Sequence, residues 1–143
     1  AVVYDTNVLG RVPNSMTIVV PRWPSDFDRN GPAPRAHAEV KCKRNLASKY
    51  SGRKYRDVVN RLRTRKPIWS EDLEAWTMDF HGRVKVASKK NFLLVSEDDD
   101  EKVILLFGKV TKSFFSLDFG PPMTATQAIT VALSSFADKL MVT

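Results

Sequence analysis

The residues of this 143-residue chain whose types and spacing could do chemistry are cations: Lys41, Lys43, Arg44, Lys49, Arg53, Lys54, Arg56, Arg61, Arg63, Arg65 and Lys66. Between residues 22 and 66, fourteen Lys/Arg stand against four Asp/Glu, a local balance of +10. The rest of the chain, with nine against twelve, is slightly acidic. Positive charge gathered into one segment attracts polyanions. Each Lys or Arg beside an anionic lipid leaflet contributes about 1 kcal/mol, and the same side chains pair with nucleic-acid phosphates. Charge alone does not choose between these partners, and a solvated, flexible loop would carry the same residues.

The other reactive side chains lack companions. His37 and His81 have no carboxylate or thiol at ligand spacing, and Cys42 is the single cysteine, so neither a zinc site nor a disulfide framework is expected. A lone cysteine between Lys41 and Lys43 suits a reducing compartment. The run Glu97-Asp98-Asp99-Asp100-Glu101 lacks the alternating ligands and glycine of a calcium loop and reads as a solvated hairpin turn. Ser134-Ser135 has no His or Asp placed to activate it, so its hydroxyls are expected to bond back to helix carbonyls. None of these side chains is arranged for enzymatic chemistry, and no cofactor is expected.

A hydrophobic content of 43% over this length suits one domain with a buried core. No apolar run approaches the roughly 18 to 20 residues of a membrane span, and no charged-then-apolar leader opens the chain. The chain starts at Ala1 and enters Val2-Val3-Tyr4 at once, which reads as the edge of something larger.

The elements that must carry the cations follow from periodicity and punctuation. Met16 to Val20 is β-branched and stops at Pro21, the signature of a strand. Pro21, Pro24, Pro32 and Pro34 interrupt the next stretch, and a low-order basic insertion is expected at about 24–54. A strand signal resumes over 55–62. Trp76, Met78 and Phe80 alternate with Thr77 and Asp79, which predicts a half-buried strand, and Trp69 and Trp76 are expected to pack in the core. Further short strands are predicted over 83–87, 91–95, 103–107 and 112–119, spaced as in an antiparallel barrel or sandwich.

Beyond Pro121-Pro122 the pattern changes. Thr124-Ala125-Thr126-Gln127 fits a capping box, so a helix should begin there. Ala128, Ile129, Val131, Ala132, Leu133, Phe136 and Ala137 fall on every side when wound at 3.6 per turn. About 14 residues span roughly 21 Å, too short for a bilayer core of about 30 Å. A helix over 124–137 enclosed by protein is therefore expected, with a sheet wrapped around it.

Phe80-His81-Gly82-Arg83-Val84, Ala87-Ser88 and Lys90-Asn91-Phe92, followed by Ala132-Leu133-Ser134-Ser135-Phe136 and Lys139, resemble the two signatures of tubby-like proteins in order and spacing. Tyr4 to Gly10, Lys66-Pro67-Ile68-Trp69 and Phe107-Gly108-Lys109-Val110 are similar to further segments of that family. The resemblance covers most of 1–20 and 55–143. Lys85, Lys89 and the ending Met141-Val142-Thr143 depart from it.

The resemblance implies a mainly β fold, an antiparallel barrel of twelve strands enclosing a C-terminal hydrophobic helix, of which this chain supplies roughly the second half. The remaining strands are expected upstream or from another chain, since half a barrel leaves sheet edges unpaired. It also implies binding of phosphatidylinositol 4,5-bisphosphate and adaptor work between membrane and protein cargo or a trafficking complex. The location would be cytoplasmic and peripheral at the plasma membrane, with cilium or nucleus as further sites. The family's principal headgroup residues lie upstream of Ala1, so none is carried over, and the basic cluster listed first is the candidate site. A nuclear, nucleic-acid-associated transcription regulator is the alternative.

Overall fold

The computed structural model describes residues 2–4, 15–22 and 59–137. The expected low-order insertion at about 24–54 lies outside these residues. Eight strands and one helix are described: β1 (Val2–Tyr4), β2 (Met16–Pro21), β3 (Val59–Thr64), β4 (Ile68–Ser70), β5 (Ala75–Thr77), β6 (Phe92–Ser96), β7 (Asp99–Lys109), β8 (Phe115–Phe119) and α1 (Ala125–Ser134). Six form one sheet in the order β1-β2-β3-β6-β7-β8, and β4 and β5 pair separately. Every pairing is antiparallel.

Register sorts the side chains into two faces, because neighbours across a ladder share a face. Ile18 opposes Leu62, Thr64 opposes Leu94, and Phe92 and Leu94 oppose Phe107 and Leu105. These residues, with Met16 and Val20, form the core, and Met123, Ala128, Val131 and Ala132 close it from the helix side. Thr64 is the buried polar group among them. Its hydroxyl accepts from the Met16 amide at 2.9 Å and lies 3.3 Å from the Met16 carbonyl, so it is satisfied by the start of β2.

The capping box forms as expected. Gln127 N–H donates to the Thr124 hydroxyl, and Thr124 N–H donates to Gln127 Oε1. Ala128, Val131 and Ala132 make the buried stripe at i, i+3, i+4. Ile129, Leu133 and Phe136 are 50%, 63% and 40% exposed, so the described residues do not enclose the helix on all sides, contrary to expectation. The reason is geometric. An open sheet covers one side of a helix, and the described strands leave β1 and β8 as edges rather than pairing them into a barrel.

Three strand assignments also change. The alternation from Trp76 ends at Thr77, because Asp79 Oδ1 accepts from the His81 amide and His81 and Gly82 take positive φ of 49° and 72°, turning the chain. Arg83–Ala87 is not a strand. Its Lys85 and Val86 amides both donate to the Lys109 carbonyl, so it crosses the end of β7 instead of running beside it. The expected strand at 103–107 extends over Asp99–Lys109, and the acidic turn shortens accordingly. Trp69 is half exposed on β4, outside the core.

Candidate functional site

Of the eleven candidate cations, Lys41, Lys43, Arg44, Lys49, Arg53, Lys54 and Arg56 lie outside the described residues. Arg61, Arg63, Arg65 and Lys66 are described. Because Leu62 and Thr64 point into the core, alternation puts Arg61 and Arg63 on the opposite face of the sheet, away from α1. Arg61 and Arg63 lie opposite Val19 and Thr17, and Arg63 opposite Val95. Their aliphatic stems can thus lie over the apolar residues of this second face while the guanidinium groups reach outward.

Each of these arginines meets a carboxylate of the β6–β7 hairpin. Arg61 pairs with Glu97 at 3.0 Å and Arg65 with Glu101 at 3.3 Å, while Arg63 Nη2 donates to Asp100. Strand order is responsible: β3 lies beside β6, whose following turn is acidic, and Glu97 N–H donates to the Arg61 carbonyl. The acidic run therefore serves as the counter-charge of part of the basic segment. Any phosphate approaching these arginines must compete with carboxylates already in place, and exposed pairs of this kind yield at about 0–1 kcal/mol each. Lys66 is exposed beyond the end of β3.

A second group of cations was not singled out by the sequence reading. The segment 80–95 contains Arg83, Lys85, Lys89 and Lys90, and 102–117 contains Lys102, Lys109 and Lys112, with no Asp or Glu in either. That absence was the available signal, but no single run is dense enough to stand out. The fold gathers five of these lysines. β6 starts, β7 ends and β8 starts at the same end of the sheet, so the 81–91 connection and the β7–β8 turn are neighbours. Asn91 locks them: its Nδ2 donates to the Val86 carbonyl at 2.9 Å and its Oδ1 accepts from Lys109 N–H at 2.8 Å. Lys102 sits towards the other end of β7.

Further contacts fix the connection on the sheet. Arg83 donates two hydrogen bonds to Asp118, from Nε at 2.6 Å and Nη2 at 2.8 Å, and the hydrogen bond and charge of Asp118 raise the guanidinium above the usual arginine pKa. Ser116 Oγ donates to the Arg83 carbonyl at 3.1 Å. Val84 lies against Gly108, where any Cβ would collide with it. Lys90 Nζ stands 3.9 Å from the centre of the Phe136 ring, a cation–π contact, and Phe136 meets Phe115 edge-on. The residues Phe80 to Phe92 and Ala132 to Phe136 are thus brought together at one end of the sheet, although about forty positions separate them in sequence.

His81 sits in an exposed turn with its Nδ1 3.4 Å from Asp79. Ser134 and Ser135 donate to the Val131 and Ala132 carbonyls, both at 2.7 Å, as expected for helix hydroxyls. Among the described residues no three His, Cys, Asp or Glu side chains are grouped to hold a metal ion, and no helix is long and apolar enough to cross a membrane.

A family model described as the Tub family matches residues 1–138. The chain is 40% identical over 141 residues to Tubby-related protein 1 of Mus musculus, which covers 98% of this chain and 25% of that protein. Tubby-related protein 1 of Homo sapiens is 37% identical over the same length, and Protein king tubby 2 of Culex quinquefasciatus is 36% identical over 140 residues, covering 97% of this chain and 32% of its own. The chain thus spans a quarter to a third of the length of these relatives. None of them is named for an enzymatic activity.

Proposed function

Because the chain belongs to the Tub family, we propose that it is a phosphoinositide-binding adaptor module, joining an anionic membrane surface to protein cargo or a trafficking complex. The family match over residues 1–138 carries this reading. The local balance of +10 over residues 22–66 supports it, since such charge favours an anionic leaflet. The preferred headgroup is phosphatidylinositol 4,5-bisphosphate, and the module is cytoplasmic and peripheral at the plasma membrane. The edges β1 and β8 of the described sheet, with the exposed Ile129 and Leu133, fit a barrel completed by strands from upstream sequence or another chain.

Vesicle flotation tests the reading. Vesicles carrying the bisphosphate lipid are compared with phosphatidylserine vesicles of equal net charge, beside duplex DNA at matched salt. Tighter binding to the bisphosphate vesicles is expected. Equal binding to both vesicle types would remove headgroup recognition, and preference for DNA would favour a nucleic-acid-associated regulator.

A further inference from the structure

We propose that the lysine-rich end of the sheet is a separate membrane contact, in which Phe114 enters the apolar layer of an anionic bilayer while Lys85, Lys89, Lys109 and Lys112 meet its phosphates. Phe114 is 72% exposed at the β7–β8 turn, among the most exposed of the large apolar side chains described. The turn holds it there. Its amide donates to the Thr111 hydroxyl at 3.3 Å, and its carbonyl accepts from Val110 N–H at 2.9 Å and Thr111 N–H at 3.2 Å. An apolar ring at a constrained tip, next to Thr111 and Ser113, has no described neighbour to cover it and gains by leaving water.

The cations around it share its end of the fold. Lys112 is two residues away in sequence, and Lys109 closes β7 just before the turn. The Lys85 amide donates to the Lys109 carbonyl at 3.0 Å, and Lys89 lies on the turn that Asn91 fastens to Lys109. With no carboxylate in 80–95 or 102–117, Asp118 occupied by Arg83 and Asp79 turned to His81, this end keeps its positive charge among the described residues, unlike Arg61, Arg63 and Arg65. Long, flexible lysines suit a fluid lipid surface, where an aromatic ring at headgroup depth and surrounding cations act together. Nucleic acid would use the same charge, but a single ring offers it no stacking platform for successive bases.

This contact rests on the membrane reading above, yet it requires no headgroup pocket, and that separates the tests. The chain, F114A, F114W and a K85A/K112A double variant are titrated with vesicles of neutral lipid, of phosphatidylserine and of the bisphosphate lipid at equal net charge. F114A is expected to lower partitioning into both anionic vesicles by about tenfold. The lysine pair should lower it by more than tenfold at low salt and by little at high salt. Tryptophan at position 114 should be quenched by bromine-labelled acyl chains beyond the quenching of the three native tryptophans. Unchanged F114A partitioning with retained bisphosphate preference would overturn this contact and leave the headgroup reading standing. Equal loss on both anionic vesicles without bisphosphate preference would do the reverse. No binding to any vesicle, or a larger effect of F114A on an oligonucleotide than on vesicles, would overturn the contact. Circular dichroism on each variant shows that the fold persists.

Discussion

The Tyr4 hydroxyl lies 2.8 Å from Ser134 Oγ, joining β1 to the last turn of α1 across 130 positions of sequence. Ser134 already gives its proton to the Val131 carbonyl at 2.7 Å, so Tyr4 is the donor. The bond anchors the outermost strand, β1, to the helix. Tyr4→Phe removes the donor and keeps the ring, and it should cost about 1 kcal/mol in urea unfolding. A Ser134→Ala change should cost a similar amount, and the double variant should cost less than the sum. Additive losses would show that the two hydroxyls act independently.

Gly108 has no room for a side chain because Val84 lies against it. Gly108→Ala should destabilise by roughly 1–3 kcal/mol, since either β7 or the 83–87 crossing must move. Val84→Ala in the same chain should recover part of that loss. If it does not, the crossing is held elsewhere, for instance by Arg83 and Asp118.

The exposed face of α1 separates two substitutions that sequence alone makes equivalent. Leu133→Ala, at a site 63% exposed, should change stability by no more than about 0.5 kcal/mol in this chain. Val131→Ala, at 3% exposure, should cost about 1–3 kcal/mol. Equal costs for the two, measured by chemical denaturation, would mean that Leu133 is covered in solution.

The ion pairs of β3 predict opposite outcomes for their two halves. Replacing Arg61, Arg63, Arg65 and Lys66 together with Ala should weaken association with anionic vesicles and flatten its salt dependence. The loss should stay below the limit of about 1 kcal/mol per cation, because Glu97, Asp100 and Glu101 already neutralise the arginines. Glu97→Gln with Asp100→Asn and Glu101→Gln should strengthen association by releasing those guanidinium groups. A triple variant with unchanged affinity would place the headgroup contact elsewhere.

Thr124→Ala removes the capping hydroxyl of α1 and should cost about 1 kcal/mol, whereas Thr124→Ser should be nearly neutral. Helix signal by circular dichroism alongside the unfolding free energy checks this.

Nearest-neighbour chemistry determined much of this protein before any tertiary contact. The β-branched run Met16–Val20 ending at Pro21 became β2, Phe115-Ser116-Leu117-Asp118-Phe119 became β8, and Thr124 with Gln127 began the helix where it was expected. Each depends on a dihedral preference, an alternation or a hydrogen bond within a few residues, which is information a linear chain carries.

Tertiary structure alone decided which charges are spent and which apolar surfaces are covered. Arg61 and Glu97 are 36 positions apart, and nothing local shows that β3 lies beside β6, so the basic cluster could not be read as partly neutralised. The alternation of Arg83–Ala87 could not reveal that its amides go to one carbonyl at the end of β7. An all-round apolar helix carries no mark of which side meets the sheet. Coulomb energy and burial depend on distance in space, and spatial distance between remote segments exists only once the strand order is set.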